Sequence, residues 1–407
     1  MARVYWVTLL VIIGFQLEAQ VVGCTDPLAL NFNVTAQQND GSCVYSPASL
    51  TPVQSENLPA LLTESSGLIW WEDQLWTHND SGDNSLYSLD WMVPATLSVY
   101  TLGGVQNKDW EEISQDSQYI YLGDFGNNEN GNRTDLKILR IEKGSLLGGD
   151  PAIDTLFFSY SDQVDFSGSG PNNTDFDCEA FIVGSNRIYL FTKQWVSKGC
   201  SVYSLPKEPG NHSAVWEAGF QVDGLITGAT YLEGKRLVVL CGYSPLLQPF
   251  LFLLYDFNED RFFEGNKRKI ALNLPFHQVE GVCTTNGILY YASNERFNQS
   301  VLTIPQKLHR LDLSMFLESY LYPTSSVGDF SSKEGIVNLH YRAGYLHLAF
   351  SEHFLGRAFQ VLDLQGRVIK RGVIQEQTML LDIGRVASGV YVMAVEGGYS
   401  KAIFLRP

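Results

Sequence analysis

The sequence predicts an all-β chain: a six-bladed β-propeller over residues 50–355, then a small β-sandwich-like domain over residues 356–407. Three observations predict this. Hydrophobic residues make up 45% of the 407 and aromatic residues 13%, against 18% charged. A large core can therefore form, and the aromatics favour strands. Helical periodicity is nearly absent, apart from one turn expected near Ser314 to Ser319. Above all, six segments share one grammar: a motif containing Glu or Thr, then Gly or a small residue, then an apolar residue, with a second strand ending in polar residues after it. They begin at Glu64, Glu111, Glu179, Thr227, Glu280 and Glu334, at steps of 47, 68, 48, 53 and 54 residues. A unit of that size with about four short strands matches a propeller blade, and neighbouring blades must bury each other's faces. The longest step contains an insertion rich in Gly, Ser, Asp and Asn at residues 161–177.

Taken in order, the chain opens on a targeting segment. Arg3 precedes an apolar run over residues 4–15, too short to span a bilayer, and Ala19 offers a small residue for cleavage, so residues 1–19 read as a signal peptide. A lipidation reading at Cys24 is weaker, because polar Gln16, Glu18 and Gln20 separate that Cys from the apolar run. No later run is long enough for a membrane helix, so the mature chain is expected to be exported, secreted or at the cell surface, with no transmembrane segment. Residues 20–46 are loop-rich and too few for their own core. Cys24 and Cys43 bracket them and are expected to form a disulfide. Cys178 and Cys200 are a second candidate pair, whereas Cys241 and Cys283 sit in apolar runs and read as buried thiols. No Cys or His spacing points to zinc. Residues 46–52 read as a linker. With 28 Lys+Arg against 44 Asp+Glu the net charge is −16, which repels phosphate backbones and disfavours nucleic-acid binding.

The blade geometry brings the repeated residues together. The innermost strand lines the central channel and the second strand returns antiparallel to the same mouth. Glu64, Glu111, Glu179, Glu280 and Glu334, with Thr227, are thus expected to ring one mouth. The ends of the second strands add His78, Asn79, Asp80 and Asp83; Asp124, Asn127 and Asn128; Lys193 and Gln194; Tyr243; Asn294, Glu295 and Arg296; and Glu352 and His353. Carboxylates this close cannot all stay ionised without a cation, a basic neighbour or water. Three uses compete. The Glu side chains can staple blades by accepting backbone N–H bonds. They can bind a ligand or a hard cation, with Ca²⁺ expected at Glu111, Asp124 and Asp109. Or a metal-dependent hydrolase of ester or phosphoester bonds can use His78 or His353 as base. No GxSxG elbow, HExxH helix or P-loop accompanies the third use, and enzyme status stays open.

Three segments resemble known families. GCTDPLALNFNVTAQQNDGSCVY, residues 23–45, resembles a short GCTDPxAxN…DGSC module of exported bacterial surface proteins, departing at Phe32, Val34 and Gln38. Its readings are a disulfide-closed turn or a Ca²⁺ loop using Asp26, Asn31, Asn33 and Asp40. ESSGL…LWTHNDSGD, KDWEEI…IYLGDFGNN and the later EGV and EGI steps resemble exported six-bladed propellers distantly similar to phytase-like and esterase-like ones. That resemblance implies the fold and a functional mouth, not a reaction. Lys193, Arg296, Arg133 and Lys333 are the only basic candidates for phosphate, too few for a phytate site. The tail, with its D-x-x-G-R step at residues 363–367, G-V-Y-V at 389–392 and Lys401, resembles the type A C-terminal sorting domain of type IX secretion. The usual first half of that domain is missing from residues 356–407, and blade six is short of outer strands, so either residues 359–364 serve both modules or an N-terminal strand near residues 50–62 closes the ring. The resemblance implies passage through the type IX machinery, with the tail removed or exchanged for a surface anchor.

Overall fold

The computed structural model describes residues 20–91, 93–299, 302–322, 336–342, 345–350, 354–363, 365–384, 386–387, 389–396 and 399–405. The expected signal peptide, Lys333, Glu334, Glu352 and His353 lie outside these residues. The chain divides into two compact units, Met1–Pro323 and Thr324–Pro407.

Strand is the dominant secondary structure, so the all-β expectation holds, and the first unit is a β-propeller. Blade one comprises Ser65–Trp71, Gln74–Asn79, Ser85–Leu89 and Leu97–Thr101. Blade two comprises Trp110–Gln115, Tyr119–Asp124, Lys137–Glu142 and Ile153–Tyr160. Blade three runs Cys178–Val183, Arg187–Thr192, Gly199–Pro206 and Gly210–Gln221. Blade four runs Leu225–Leu232, Leu237–Tyr243, Pro249–Tyr255 and Asn266–Leu272. Blade five begins Val279–Thr284, Leu289–Asn294 and Lys307–Asp312. Each blade is antiparallel from its inner strand outward. The outer strands of blades two and three also pair with each other in parallel, Leu156 opposite Gly210.

Among the described residues the first unit has five blades, not the expected six. Its inner strands touch in the order blade one, two, three, four, five and back to one. At the last contact the backbones of blades five and one meet so closely that a Cβ on Gly281 would lie 2.8 Å from the Gly67 carbonyl carbon. A further blade has no space there. Five buried clusters fill the five gaps between neighbours, and side chains from both facing sheets enter each one. Trp76 and Trp110 serve the gap between blades one and two, and Phe191, Phe257 and Phe262 that between three and four. Each such apolar side chain contributes roughly 1.5–3 kcal/mol on burial.

The remaining copy of the repeat, the one beginning at Glu334, belongs to the other unit. Its strands Ile336–Arg342 and Tyr345–Phe350 form a hairpin whose second strand pairs with Thr378–Asp382. The second sheet of that unit is Val368–Val373, Ala358–Asp363, Gly389–Val395 and Tyr399–Leu405. Leu346, Leu348, Phe359, Val361, Tyr391 and Met393 share its core. The boundary therefore falls near residue 324, not 356, and the hairpin taken for a sixth blade supplies the first half of the sandwich. The D-x-x-G-R step is a turn: Asp363 Oδ1 accepts the N–H groups of Gln365 and Arg367, its Oδ2 accepts Arg367 Nε at 2.6 Å, and Gly366 sits at φ +79°.

The N-terminal residues close the ring. Gln54–Asn57 pairs antiparallel with Lys307–Asp312 and is the fourth strand of blade five. This is one of the two closures the sequence allows, a strand near residues 50–62. Ala48–Leu50, within the expected linker, adds in parallel to Asn266–Leu272 as a fifth strand of blade four. Cys24 and Cys43 form the expected disulfide across a separation of 19 residues, as suits an oxidising compartment. Cys178 and Cys200 do not pair; both are free and buried, like Cys241 and Cys283. The helix Ser314–Leu321 stands where a turn is expected.

The module oxygens read as Ca²⁺ ligands are engaged in holding turns and docking. Asp26 accepts Leu28 N–H at 2.9 Å and the hydroxyls of Tyr45 and Tyr255, the latter from blade four. Asn31 accepts Val44 N–H at 2.8 Å and donates to Ser42 O at 2.7 Å. Asn33 accepts Thr35 N–H, and Asp40 accepts Ser42 N–H, each at 3.0 Å. The module is thus a disulfide-closed turn seated on the propeller.

Candidate functional site

The mouth is built from three positions per blade. Where the second strand ends, the next residue donates its N–H to the carbonyl just before the inner strand: Asp80 to Glu64 at 2.9 Å, Phe125 to Asp109 at 3.1 Å, Lys193 to Asp177 at 2.7 Å and Glu295 to Gln278 at 3.2 Å. Glu64, Asp109, Asp177 and Gln278 are therefore equivalent. Two residues on, the inner strand bulges, because an extra residue there has no partner opposite. Those residues are Glu111, Glu179, Thr227 and Glu280 in blades two to five. Glu64 is thus not the counterpart of Glu111, as the repeat register implies; it opens its blade two residues earlier. The hydroxyls of Ser66 and Thr227 bridge to the next blade, donating to Glu111 O at 2.6 Å and Val279 O at 2.5 Å.

Asp109, Glu111, Asp177, Glu179, Glu280 and Glu295 interact electrostatically with Lys193, while Asp80 interacts with Glu64 and Glu295. Lys193 is buried and its ammonium lies 3.1 Å from Glu179 Oε1. It also sits 4.7 Å from the centre of the Trp195 ring and 5.4 Å from that of Tyr243. Burial alone would lower its pKa, but Glu179, Tyr243, Glu280 and Asp177 raise it well above the ordinary lysine value. Asp177 accepts Asn127 N–H at 2.6 Å and Trp195 Nε1–H at 2.7 Å. Glu111 Oε1 and Asp109 Oδ2 crowd Gly126, where a Cβ would lie 2.1 and 2.4 Å from them.

Burial, then mutual repulsion, pushes this group up. Glu111 is held well above the carboxylate range by burial and by Glu179, Asp109 and Asp177. Glu280 is likewise held well above it by burial, with Lys193 pulling down and Glu295, Glu179 and Asp80 pushing up. Asp80 is raised to about 8 by burial, Glu64 and Glu295. Glu295 is raised to about 7 by burial and Glu64 against Lys193. These folded values exceed the unfolded ones, so the associated stability is fully present below the unfolded values, near pH 4, and is lost as pH rises through 7 to 8. The melting temperature should fall between pH 6 and 9, and Asp80→Asn should flatten that fall by a few degrees, read by circular dichroism in matched buffers. A wild-type curve rising over that range would refute this.

The structure assigns two sequence candidates elsewhere. Asp124 is fully buried, accepts a hydrogen bond from Arg133 Nη2 at 2.8 Å and forms an ion pair with Lys137 Nζ at 2.7 Å. Both of its oxygens face cations, so the Ca²⁺ set of Glu111, Asp124 and Asp109 is not assembled. Among the described residues no group of three His, Cys, Asp or Glu side chains is arranged to hold a metal ion. His78 is fully buried, bonded through Nδ1 to Asn79 O at 3.1 Å and set edge-on to Trp110, and burial drives it down to about 4. It is a neutral core residue, not a base at the mouth.

Two functional positions are not singled out by the sequence reasoning. Asp177 precedes Glu179 by two residues, as Asp109 precedes Glu111, and that recurring D-x-E spacing is a legible signal. Glu112 carries the staple role expected of the Glu ring. It is fully buried, its Oε1 accepts Ile113 N–H at 2.9 Å, and its Oε2 reaches Ala229 N–H of blade four at 2.7 Å. Burial pushes it well above the carboxylate range, opposed by N–H groups of Ala229, Ile113 and Leu68. Apart from the mouth, a cavity of about 370 Å³ lies where the module meets blade four, lined in part by Asn39, Asp40, Arg261 and Lys267.

No protein-family model matches the chain, and no curated protein is similar to it in sequence. Among solved structures it is similar to PorZ, a surface component of the type IX secretion system of Porphyromonas gingivalis, at 12% identity and a TM-score of 0.30, over 84% of this chain and 44% of that one. It thus spans less than half of that protein. It is also similar to virginiamycin B lyase from Staphylococcus aureus, at 12% identity and a TM-score of 0.31, over 63% of this chain and 68% of that one. The WD40 repeats of RRP9 match at 9% identity and a TM-score of 0.35, over 65% of this chain and all of the other. Scores this low establish no relationship; the propeller assignment rests on strand pairing and on the closed ring of inner strands.

Proposed function

We propose that the protein is an exported, surface-displayed or secreted β-propeller that binds a ligand or partner at its carboxylate-lined mouth. The observation that carries the reading is the set of six carboxyl groups from three blades, Asp109, Glu111, Asp177, Glu179, Glu280 and Glu295, that act on the buried ammonium of Lys193, which Glu179 holds at 3.1 Å. Held together by the backbone, these groups remain under mutual repulsion, and an occupant of the mouth would relieve it. Export rests on the N-terminal apolar segment, on the disulfide, and on the C-terminal sandwich whose turn and strands carry the D-x-x-G-R and G-V-Y-V motifs.

A thermal-shift screen of the mature protein tests the mouth. The panel includes Ca²⁺, Mg²⁺, a chelator, sugars, amines and short peptides. Binding at a hundredfold excess over Kd adds about 2.7 kcal/mol, a clear rise in melting temperature. At least one compound should stabilise the wild type but not Glu280→Gln. A panel with no compound that distinguishes the two proteins would remove the mouth as a binding site.

A further inference from the structure

A separate constellation stands in blade five, where the closing strand Gln54–Asn57 pairs with Lys307–Asp312. Ser55 lies directly opposite His309 in that ladder. Ser55 is exposed, whereas His309 is fully buried. The Ser55 hydroxyl is 2.8 Å from His309 Nδ1, and His309 Nε2 is 2.8 Å from Asn294 Oδ1. Asn294, also fully buried, ends the second strand of the blade. Its amide nitrogen donates to the carbonyls of Glu295 at 2.7 Å and Pro305 at 3.0 Å, so its oxygen is the atom that faces the ring. That orientation fixes the tautomer. Nε2 carries the hydrogen and donates to Asn294, and the Nδ1 lone pair accepts the Ser55 hydroxyl. His277 packs edge-on against the ring, with centroids 5.4 Å apart.

We propose that Ser55 is a nucleophile and His309 its general base, with Asn294 as a positioning residue, in a serine-type site for carboxylic esters. The three roles are recognised by geometry and not by fold or chain order: nucleophile bonded to base, base bonded to the group that orients it. Ser55 Oγ attacks the ester carbonyl carbon while its proton passes to His309 Nδ1. The bond from that carbon to the alcohol oxygen then breaks, and the departing oxygen takes the proton. Water, losing a proton to the same nitrogen, cleaves acyl-Ser55 to the free acid and restores the hydroxyl. Lys307 is two residues before His309 and leaves the strand from the same face, opposite Asn57, which puts positive charge on the side where the oxyanion forms. Burial, then His277 and Lys307, hold His309 down to about 3, so the ring stays neutral with its lone pair available. A base held that low activates the hydroxyl weakly. The site therefore suits an ester, whose carbonyl is more electrophilic than an amide's, and turns over slowly.

The test is reaction of the mature protein with a fluorophosphonate probe, in which Ser55 Oγ displaces fluoride from phosphorus and the hydroxyl proton passes to His309. Peptide mass spectrometry should find the adduct on Ser55 in the folded protein and not after unfolding in guanidinium. Hydrolysis of p-nitrophenyl acetate should likewise require the fold. Ser55→Ala, at an exposed strand position, should abolish the adduct and the hydrolysis together. His309→Gln should slow both by about a hundredfold, the size of a general-base contribution. Asn294→Ala serves as the second variant should His309→Gln fold poorly, and it should slow labelling by about tenfold or more, because the ring is then free to turn. Absence of an adduct at Ser55, equal labelling of folded and unfolded protein, or rates that Ser55→Ala or both folded variants leave unchanged would overturn the proposal.

Discussion

Glu112→Ala should lower the unfolding free energy by about 3–5 kcal/mol in guanidinium titrations. The change removes the acceptor of two buried N–H groups, Ile113 and Ala229, which belong to different blades. Each orphaned donor costs about 1–3 kcal/mol, and the vacated volume beside Gly67 adds a cavity term. Glu112→Gln should fall between, because its amide retains one accepting oxygen and turns an N–H₂ toward a donor. A loss below 1 kcal/mol for the alanine variant would mean that the axis is held by the inner-strand backbones alone.

Deleting residues 324–407 should abolish appearance of the protein at the surface or in the medium of its native host, leaving it in the periplasm. The deleted unit has its own core, built from residues such as Leu348, Phe359 and Met393. The propeller's five inter-blade clusters contain none of these. The truncated chain should therefore keep a cooperative thermal transition while losing export, measured by fractionation and by calorimetry. Full export of the truncated chain would disprove the sorting role.

The blades were legible because strand–turn–strand grammar is local: each copy carries its own apolar alternation and its own polar strand end. The blade count was not. The hairpin at Ile336–Phe350 has the same local grammar, and only the long-range contact of Gly281 with Gly67 decides that the ring is already full. The repeat is legible in part: Glu111, Glu179 and Glu280 share the bulge position of their inner strands, and Asp80 pairs with the Glu64 carbonyl. Asp124 was misplaced because its partners, Arg133 and Lys137, enter from the loop and strand that follow it, and a strand-end pattern does not see them. Glu112 is not legible in the sequence, because alternation tells which face of a strand a side chain leaves from, not that it reaches across the axis to blade four.

The pairing of Gln54–Asn57 with Lys307–Asp312 and of Ala48–Leu50 with Asn266–Leu272 has a consequence for how the chain acquires its shape. Being made first, this segment must wait, unpaired, for partners more than two hundred residues behind it. Until they arrive, blades four and five present open edges, and open edges template strand addition between molecules. These early residues therefore act as a latch that is thrown last. A chain nicked or shortened ahead of Asn57 should assemble its blades yet remain prone to stick to its own kind.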